Sequence, residues 1–378
     1  ALVVSLPLLR LGSLQRDPRV AFVTPDRPVR LLDSGASPAS PQADNGTGGV
    51  PTGVMRIGAA PVAGVATAAK KTAVAIVDTG IMARPDLNVV GGYDCASDLL
   101  GDLLGGGGNG ATPADNNGHG THVAGIVAAR DTGQGVVGVS PGTPLYAVRV
   151  FSSFGSGSLS NVICGLNWVA ENAAKDNIKV INMSLGGEGS DDGHCGATDQ
   201  DAFHAAVCRV TAAGVTVVVA AGNDGGDVAK TVPASYDEAL AVTAMADFDG
   251  KPGGLFQGSS PCSTKGTDDT AASFSDWAVP GSPDANHVIA APGVCITSTW
   301  NDGKFKSISG TSMASPHVAG LVARCVDAGP CAGMPPAQIM AKLRADAAAR
   351  PADQGFLGDT HKPIDGKYYG NLADDLGY

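Results

Sequence analysis

Six short apolar runs mark the chain, at residues 74–77, 145–150, 180–183, 215–220, 239–242 and 287–290. VAIV and VTVVVA are typical of them. A strand with one wet face would alternate apolar with polar residues, so nearly unbroken runs predict strands covered on both faces. Between the runs, apolar positions recur every three or four residues. That spacing predicts helices over residues 121–129, 159–174, 199–213 and 315–326, with a last helical segment ending near Ala348. Strands alternating with helices predict an α/β fold around a mainly parallel sheet, with helices on both of its faces. In such folds sites lie beyond the carboxyl ends of the strands.

The front of the chain has a different texture. Residues 1–32 hold a short helical stretch (LLRLGSLQRD) and a strand-like run at residues 19–23 (RVAFV), closed by Thr24, Pro25 and Asp26. Residues 33–49 (DSGASPASPQADNGTGG) have almost nothing to bury and read as a linker. Residues 50–378 then form one large domain.

Composition narrows the function. A net charge of −11 and a pI near 4.9 argue against nucleic acid, whose phosphates need a basic face. No apolar run approaches the roughly 20 residues of a membrane span. The eight cysteines contain no C-x-x-C pair, which excludes zinc-ribbon and thioredoxin readings. An even, scattered set predicts disulfides and an oxidising, extracellular compartment. Cys195 with Cys208 and Cys325 with Cys331 close short loops and are the expected local pairs. Cys95 with Cys164 and Cys262 with Cys295 would complete one of about 105 possible connectivities.

Three segments carry candidate chemistry. AIVDTG ends an apolar run at Asp78, immediately before a turn. DNNGHGTHVAG places His119 at a helix entry between two glycines, and an imidazole is the natural general base near neutral pH. His122 shares a helix face with it, but no H-E-x-x-H pattern follows, so a packed structural role is expected there. SGTSMASPHVAG puts Ser312 just before a helix whose first turn carries Pro316. There a serine hydroxyl lies near backbone N–H groups at the positive end of the helix. The lipase elbow G-x-S-x-G is absent.

Taken together, AIVDTG, NNGHGTHVAG and GTSMASPHVAG, in the order Asp, His, Ser, resemble the three signatures of the subtilisin-like serine proteases. The resemblance runs from about Val50 to near Ala348. It implies a three-layer α/β/α fold and a secreted, monomeric endopeptidase acting on protein or peptide substrates. Ser312 would be the nucleophile, His119 the general base and Asp78 the residue that orients His119. VVVAAGNDGG resembles the family's oxyanion segment, with Asn223 as side-chain donor. Ser184, Leu185, Gly186 and Gly187 resemble one wall of the first specificity pocket, with Ala221 and Gly222 forming the other. Gly155, Ser156 and Gly157 resemble the strand that pairs with the substrate backbone. Small uncharged walls imply a roomy apolar pocket, although Asp224 beside Asn223 leaves the choice against basic residues open. A catalytically silent binding protein on this fold is one rival reading, against which all four candidate residues stand. An esterase using the same triad is the other, and the peptide-binding segments argue against it.

The resemblance also implies a self-processed zymogen. Residues 16–30 are similar to the end of an inhibitory propeptide, and VPTGVMRIGA resembles a mature N-terminus. Residues 1–32 would be the C-terminal part of that propeptide, its earlier elements preceding Ala1. The cut is expected near Gly46, within the span from Leu32 to Gly49. Calcium is the family's usual ion, and Asp86 resembles a ligand of its tight site. The partner loop RDTGQGVVGV departs from the usual pattern. Asp98, Asp102 and Asp115 either bind a second ion or are merely solvated, and residues 247–279 are expected to form a surface insertion.

Overall fold

The computed structural model describes residues 3–32, 49–61, 70–96 and 113–378, apart from residues 134, 259, 263 and 328. Its centre is a parallel sheet built from the predicted runs. In spatial order it contains β10 (Ala239–Ala246), β8 (Thr216–Ala220), β6 (Ile178–Met183), β2 (Ala73–Asp78), β4 (Leu145–Arg149) and β3 (Val89–Asp94). β12 (Val288–Pro292) adds to β10 in parallel, and the short β11 (Thr270–Ala271) is its only antiparallel strand among the described residues. β3 is not among the predicted runs, because glycines interrupt its sequence VVGGYD.

Alternate residues of each strand feed two cores, as a pleat requires. Val74 and Ile76 of β2 pack on one face with helices α3 (His119–Ala128), α6 (Thr311–Asp327) and α7 (Pro336–Ala348). Ala73, Ala75 and Val77 pack on the other with α4 (Leu159–Asn172) and α5 (Ala202–Ala212). The result is the expected α/β/α sandwich. A hairpin of β13 (Ile296–Thr299) and β14 (Phe305–Ile308) lies against α3.

All four expected disulfides are present: Cys95–Cys164, Cys195–Cys208, Cys262–Cys295 and Cys325–Cys331. The tail after Pro351 packs on the domain as expected, with Tyr368 bridging to Ala278 and Leu372 to Ala290. The segment 247–279 is less superficial than expected, because Asp247, Asp268 and Asp269 are buried.

At the front, α1 (Leu8–Gln15) falls on the predicted helical stretch, and α2 (Thr52–Arg56) opens the main domain. The expected strand at residues 19–23 is not one; the strand is β1 (Pro28–Leu31). Residues 19–23 have the stronger β-forming composition, but a strand needs an edge to pair with. Residues 28–31 meet two edges, antiparallel to β5 (Ser156–Ser158) on one side and β7 (Leu185–Glu188) on the other. β9 (Thr231–Val232) completes this small sheet beside β7.

Candidate active site

Asp78 is the last residue of β2, and both it and His119 are buried. His119 Nδ1 lies 2.8 Å and 2.9 Å from the two oxygens of Asp78. The Thr79 N–H also donates to Asp78 Oδ1, at 2.7 Å. The helix entry that presents His119 is organised by Asp115. Its carboxylate accepts from the backbone N–H groups of Asn117, Gly118 and Thr121 and from the hydroxyls of Thr79 and Thr121. Asp115 is therefore a loop organiser, and the expectation of an ion ligand there is corrected. Gly118 has φ +112°, and a Cβ on Gly120 would meet the Gly80 carbonyl oxygen at 2.2 Å, so both flanking glycines are required by geometry.

Ser312 stands in the first turn of α6. Its hydroxyl donates to the Ser184 carbonyl at 3.0 Å, and the Ser184 hydroxyl donates back to the Ser312 carbonyl at 2.8 Å. Ser184 directly follows β6, which neighbours β2 in the sheet, so both groups sit at carboxyl ends of adjacent strands. Beyond β8, Asn223 turns its side chain toward the same place. Its Oδ1 accepts from the backbone N–H of Thr311 at 3.0 Å and from the Thr311 hydroxyl at 2.8 Å. That fixes the amide so that Nδ2 points away from Thr311.

The target of Nδ2 is the backbone carbonyl of Leu32. The same oxygen accepts the Ser312 N–H at 3.3 Å, while the Leu32 N–H donates to the Ser184 carbonyl at 3.4 Å. The chain leading to it lies in a groove between the predicted wall and the predicted pairing strand. Val29 registers with Gly157, Arg30 with Ser156 and Gly186, and Leu31 with Leu185. A Cβ on Gly186 would meet Leu32 Cδ1 at 2.9 Å, and one on Gly155 would meet Leu31 Cδ1 at 3.1 Å. Gly187 lies against Val29. Ala221, expected in the second pocket wall, is buried in the core, and a Cβ on its neighbour Gly222 would meet Asp276. Further along the groove, Arg30 pairs with Asp224, Arg27 donates to the Glu188 carbonyl at 3.2 Å and Asp26 accepts from Ser160. The motifs do not single out Thr311 as a positioning residue. Thr311 is visible in the GTS motif, but only the fold shows what it holds.

The model of the subtilase family (peptidase S8) matches residues 69–362. This chain belongs to the subtilase family. It is 38% identical to Subtilisin DY of Bacillus licheniformis over 278 residues, covering 72% of this chain and 83% of that protein. It is 34% identical to M-protease of Shouchella clausii over 313 residues, 83% of this chain and 65% of that one. Among solved structures it resembles a cold adapted subtilisin-like serine proteinase, at 29% identity and a TM-score of 0.59, over 86% of this chain and 98% of the other. The subtilase is thus a serine endopeptidase with the α/β/α fold. Among the described residues no helix is long and apolar enough to cross a membrane.

Two further histidines of this subtilase are structural. His122 Nε2 lies 2.9 Å from the Lys306 carbonyl and 3.1 Å from that of Ile296, tying α3 to the hairpin, and burial pushes its pKa down to about 3. His317 Nδ1 lies 2.8 Å from the Met313 carbonyl, and burial lowers its pKa to about 4.

Asp86, the expected calcium ligand, is buried beside Arg84. Both of its oxygens accept from Arg84, at 2.9 Å and 2.8 Å. Asp98, Asp102 and Gly46 lie outside the described residues. The group suited to a hard cation is Asp247, Asp249 and Asp268, which can bring one oxygen each within 4.8 Å of one another. Asp247 Oδ1 is buried without a hydrogen bond, 3.6 Å from Arg56 Nε. Arg56 is already engaged by Asp269 at 2.8 Å, so Asp247 and Asp269 share one guanidinium. The oxygen donors and surplus negative charge fit calcium.

Proposed function

We propose that Ser312, His119 and Asp78 are the catalytic triad of this endopeptidase, that Asn223 and the Ser312 N–H form its oxyanion hole, and that its first substrate is the Leu32–Asp33 peptide bond of its own chain. The observation that carries this reading is the Leu32 carbonyl, held by both proposed oxyanion donors beside the Ser312 hydroxyl. The cut is thereby assigned to Leu32, at the near end of the expected span and away from Gly46.

In this reading Ser312 Oγ attacks the carbonyl carbon while its proton passes to His119 Nε2. Asp78 holds His119 Nδ1–H and stabilises the imidazolium that forms. Negative charge moves to the carbonyl oxygen, which draws closer to Asn223 Nδ2 and the Ser312 N–H. Collapse expels the amine of Asp33, protonated by His119, and leaves residue 32 esterified to Ser312. A water activated by His119 then releases the Leu32 carboxylate. The fragment 1–32 retains its hydrogen bonds to β5 and β7, so it remains an inhibitor until degraded. Leu32 against Gly186 supports an apolar preference at the position before the cut.

Four disulfides support secretion into an oxidising compartment. When bound, calcium would be held by Asp247, Asp249 and Asp268 and would neutralise their charge; it takes no part in the steps above.

N-terminal sequencing tests the reading. Wild-type protein is expected to acquire an N-terminus at Asp33, and Ser312→Ala to remain uncut. Maturation of purified Ser312→Ala at the wild-type rate would remove Ser312 as nucleophile. A first cut near Gly46 would remove the assignment to Leu32 and leave the triad intact.

A further inference from the structure

Far from the cleft, His204 on α5 is 1% exposed and bracketed by acids on both ring nitrogens. Its Nε2 lies 2.8 Å from Glu238 Oε2, a bond that places a proton on Nε2. Its Nδ1 makes no hydrogen bond, yet Asp192 Oδ1 is 3.2 Å away and Asp191 Oδ1 is 3.5 Å away. A lone pair facing two carboxylates is repulsive unless a cation lies between them. The spacing suits a metal: ligands about 2.1 Å from a tetrahedral centre lie about 3.4 Å apart.

The three ligand atoms are held in place independently of any ion. Asp192 Oδ1 accepts from the backbone N–H groups of His194 and Gly196, and its Oδ2 from that of Thr198. Asp191 accepts from Gly193 and Asp237. The His204 ring stacks on Tyr236 at 4.0 Å with an interplanar angle of 1°, and the Tyr236 hydroxyl donates to Asp201 at 2.7 Å. The loop carrying both aspartates is fastened to α5 by Cys195–Cys208, whose sulfurs, being bonded to each other, are not ligands.

We propose that Asp191, Asp192 and Nδ1 of His204 bind a divalent transition metal of the zinc type, with Glu238 as the outer carboxylate that fixes the His204 tautomer. An imidazole among the donors selects zinc or a similar ion over calcium, and a carboxylate behind a ligating histidine is the usual supporting arrangement. The ion would clamp the loop after β7 to α5.

The test uses the full chain carrying Ser312→Ala, freed of metal by chelation and titrated with Zn²⁺ by calorimetry and with Co²⁺ by visible absorption. The parent is expected to show one tight site and a tetrahedral cobalt spectrum. Asp191→Asn and His204→Gln should each weaken that site at least tenfold and remove the spectrum, and Glu238→Gln should weaken it about tenfold or more. Zinc affinity equal in parent and Asp191→Asn, or no cobalt spectrum in the parent, would mean that the cation is only a proton on His204 and would overturn the proposal. Asp191→Asn decides the matter even if His204→Gln does not fold.

Discussion

The side-chain amide of Asn223 donates to the backbone carbonyl of Leu32, while Thr311 holds the other end of that amide through both its N–H and its hydroxyl. Asn223 thus reaches a substrate-like carbonyl from a side chain whose orientation is already fixed. Preorganised donors stabilise charge that develops only in the transition state. Asn223→Ala is therefore expected to lower kcat by about 100- to 1,000-fold with little change in KM, the range known for this donor in a subtilisin. Steady-state kinetics on a peptide anilide checks this. A loss confined to KM would show that Asn223 binds the ground state only.

Gly186 limits the pocket that takes the Leu32 side chain, since a Cβ there would meet Leu32 Cδ1 at 2.9 Å. Gly186→Val is expected to reduce kcat/KM for substrates with Leu before the cut by tenfold or more, because overpacking costs about 1–3 kcal/mol. Substrates with Ala at that position should lose much less. The ratio of the two kcat/KM values is the measurement, and an unchanged ratio would place the Leu side chain elsewhere.

His317 stays neutral in the fold down to about pH 4 because it is buried, whereas in the unfolded chain it takes a proton near pH 6.5. Between those values the unfolded state binds more protons, so this residue's contribution is complete above about pH 6.5 and is lost as pH falls. The limiting slope is about 1.4 kcal/mol per pH unit. In urea titrations of Ser312→Ala protein from pH 7 to pH 5, adding His317→Gln should flatten the loss of stability by up to one proton. Identical slopes would contradict it.

Calcium at Asp247, Asp249 and Asp268 would stabilise the fold by mass action, about 2.7 kcal/mol at a hundredfold excess over Kd. Adding calcium to chelated protein is then expected to raise the Tm by several degrees, and Asp249→Asn to abolish that rise. A melt of chelated Ser312→Ala protein that calcium leaves unchanged would count against the ion.

Much of this protein is legible in local pattern. The unbroken runs around Ile76, Val180 and Val218 identify buried parallel strands, because covering on both faces leaves no place for polar residues. The order of Asp78, His119 and Ser312, each in its own short motif, points to the chemistry. Tertiary structure alone decided which stretch fills the cleft. Residues 19–23 look more like a strand than PVRL does, but pairing depends on distant edges, and β5 and β7 lie more than a hundred residues downstream. The same holds for charge. Asp86, Asp115 and Asp191 are equivalent as letters, yet one meets Arg84, one gathers the turn before His119, and one faces a buried imidazole. A carboxylate's role is set by what the fold brings within about 4 Å of it, and periodicity along a chain carries no record of that distance.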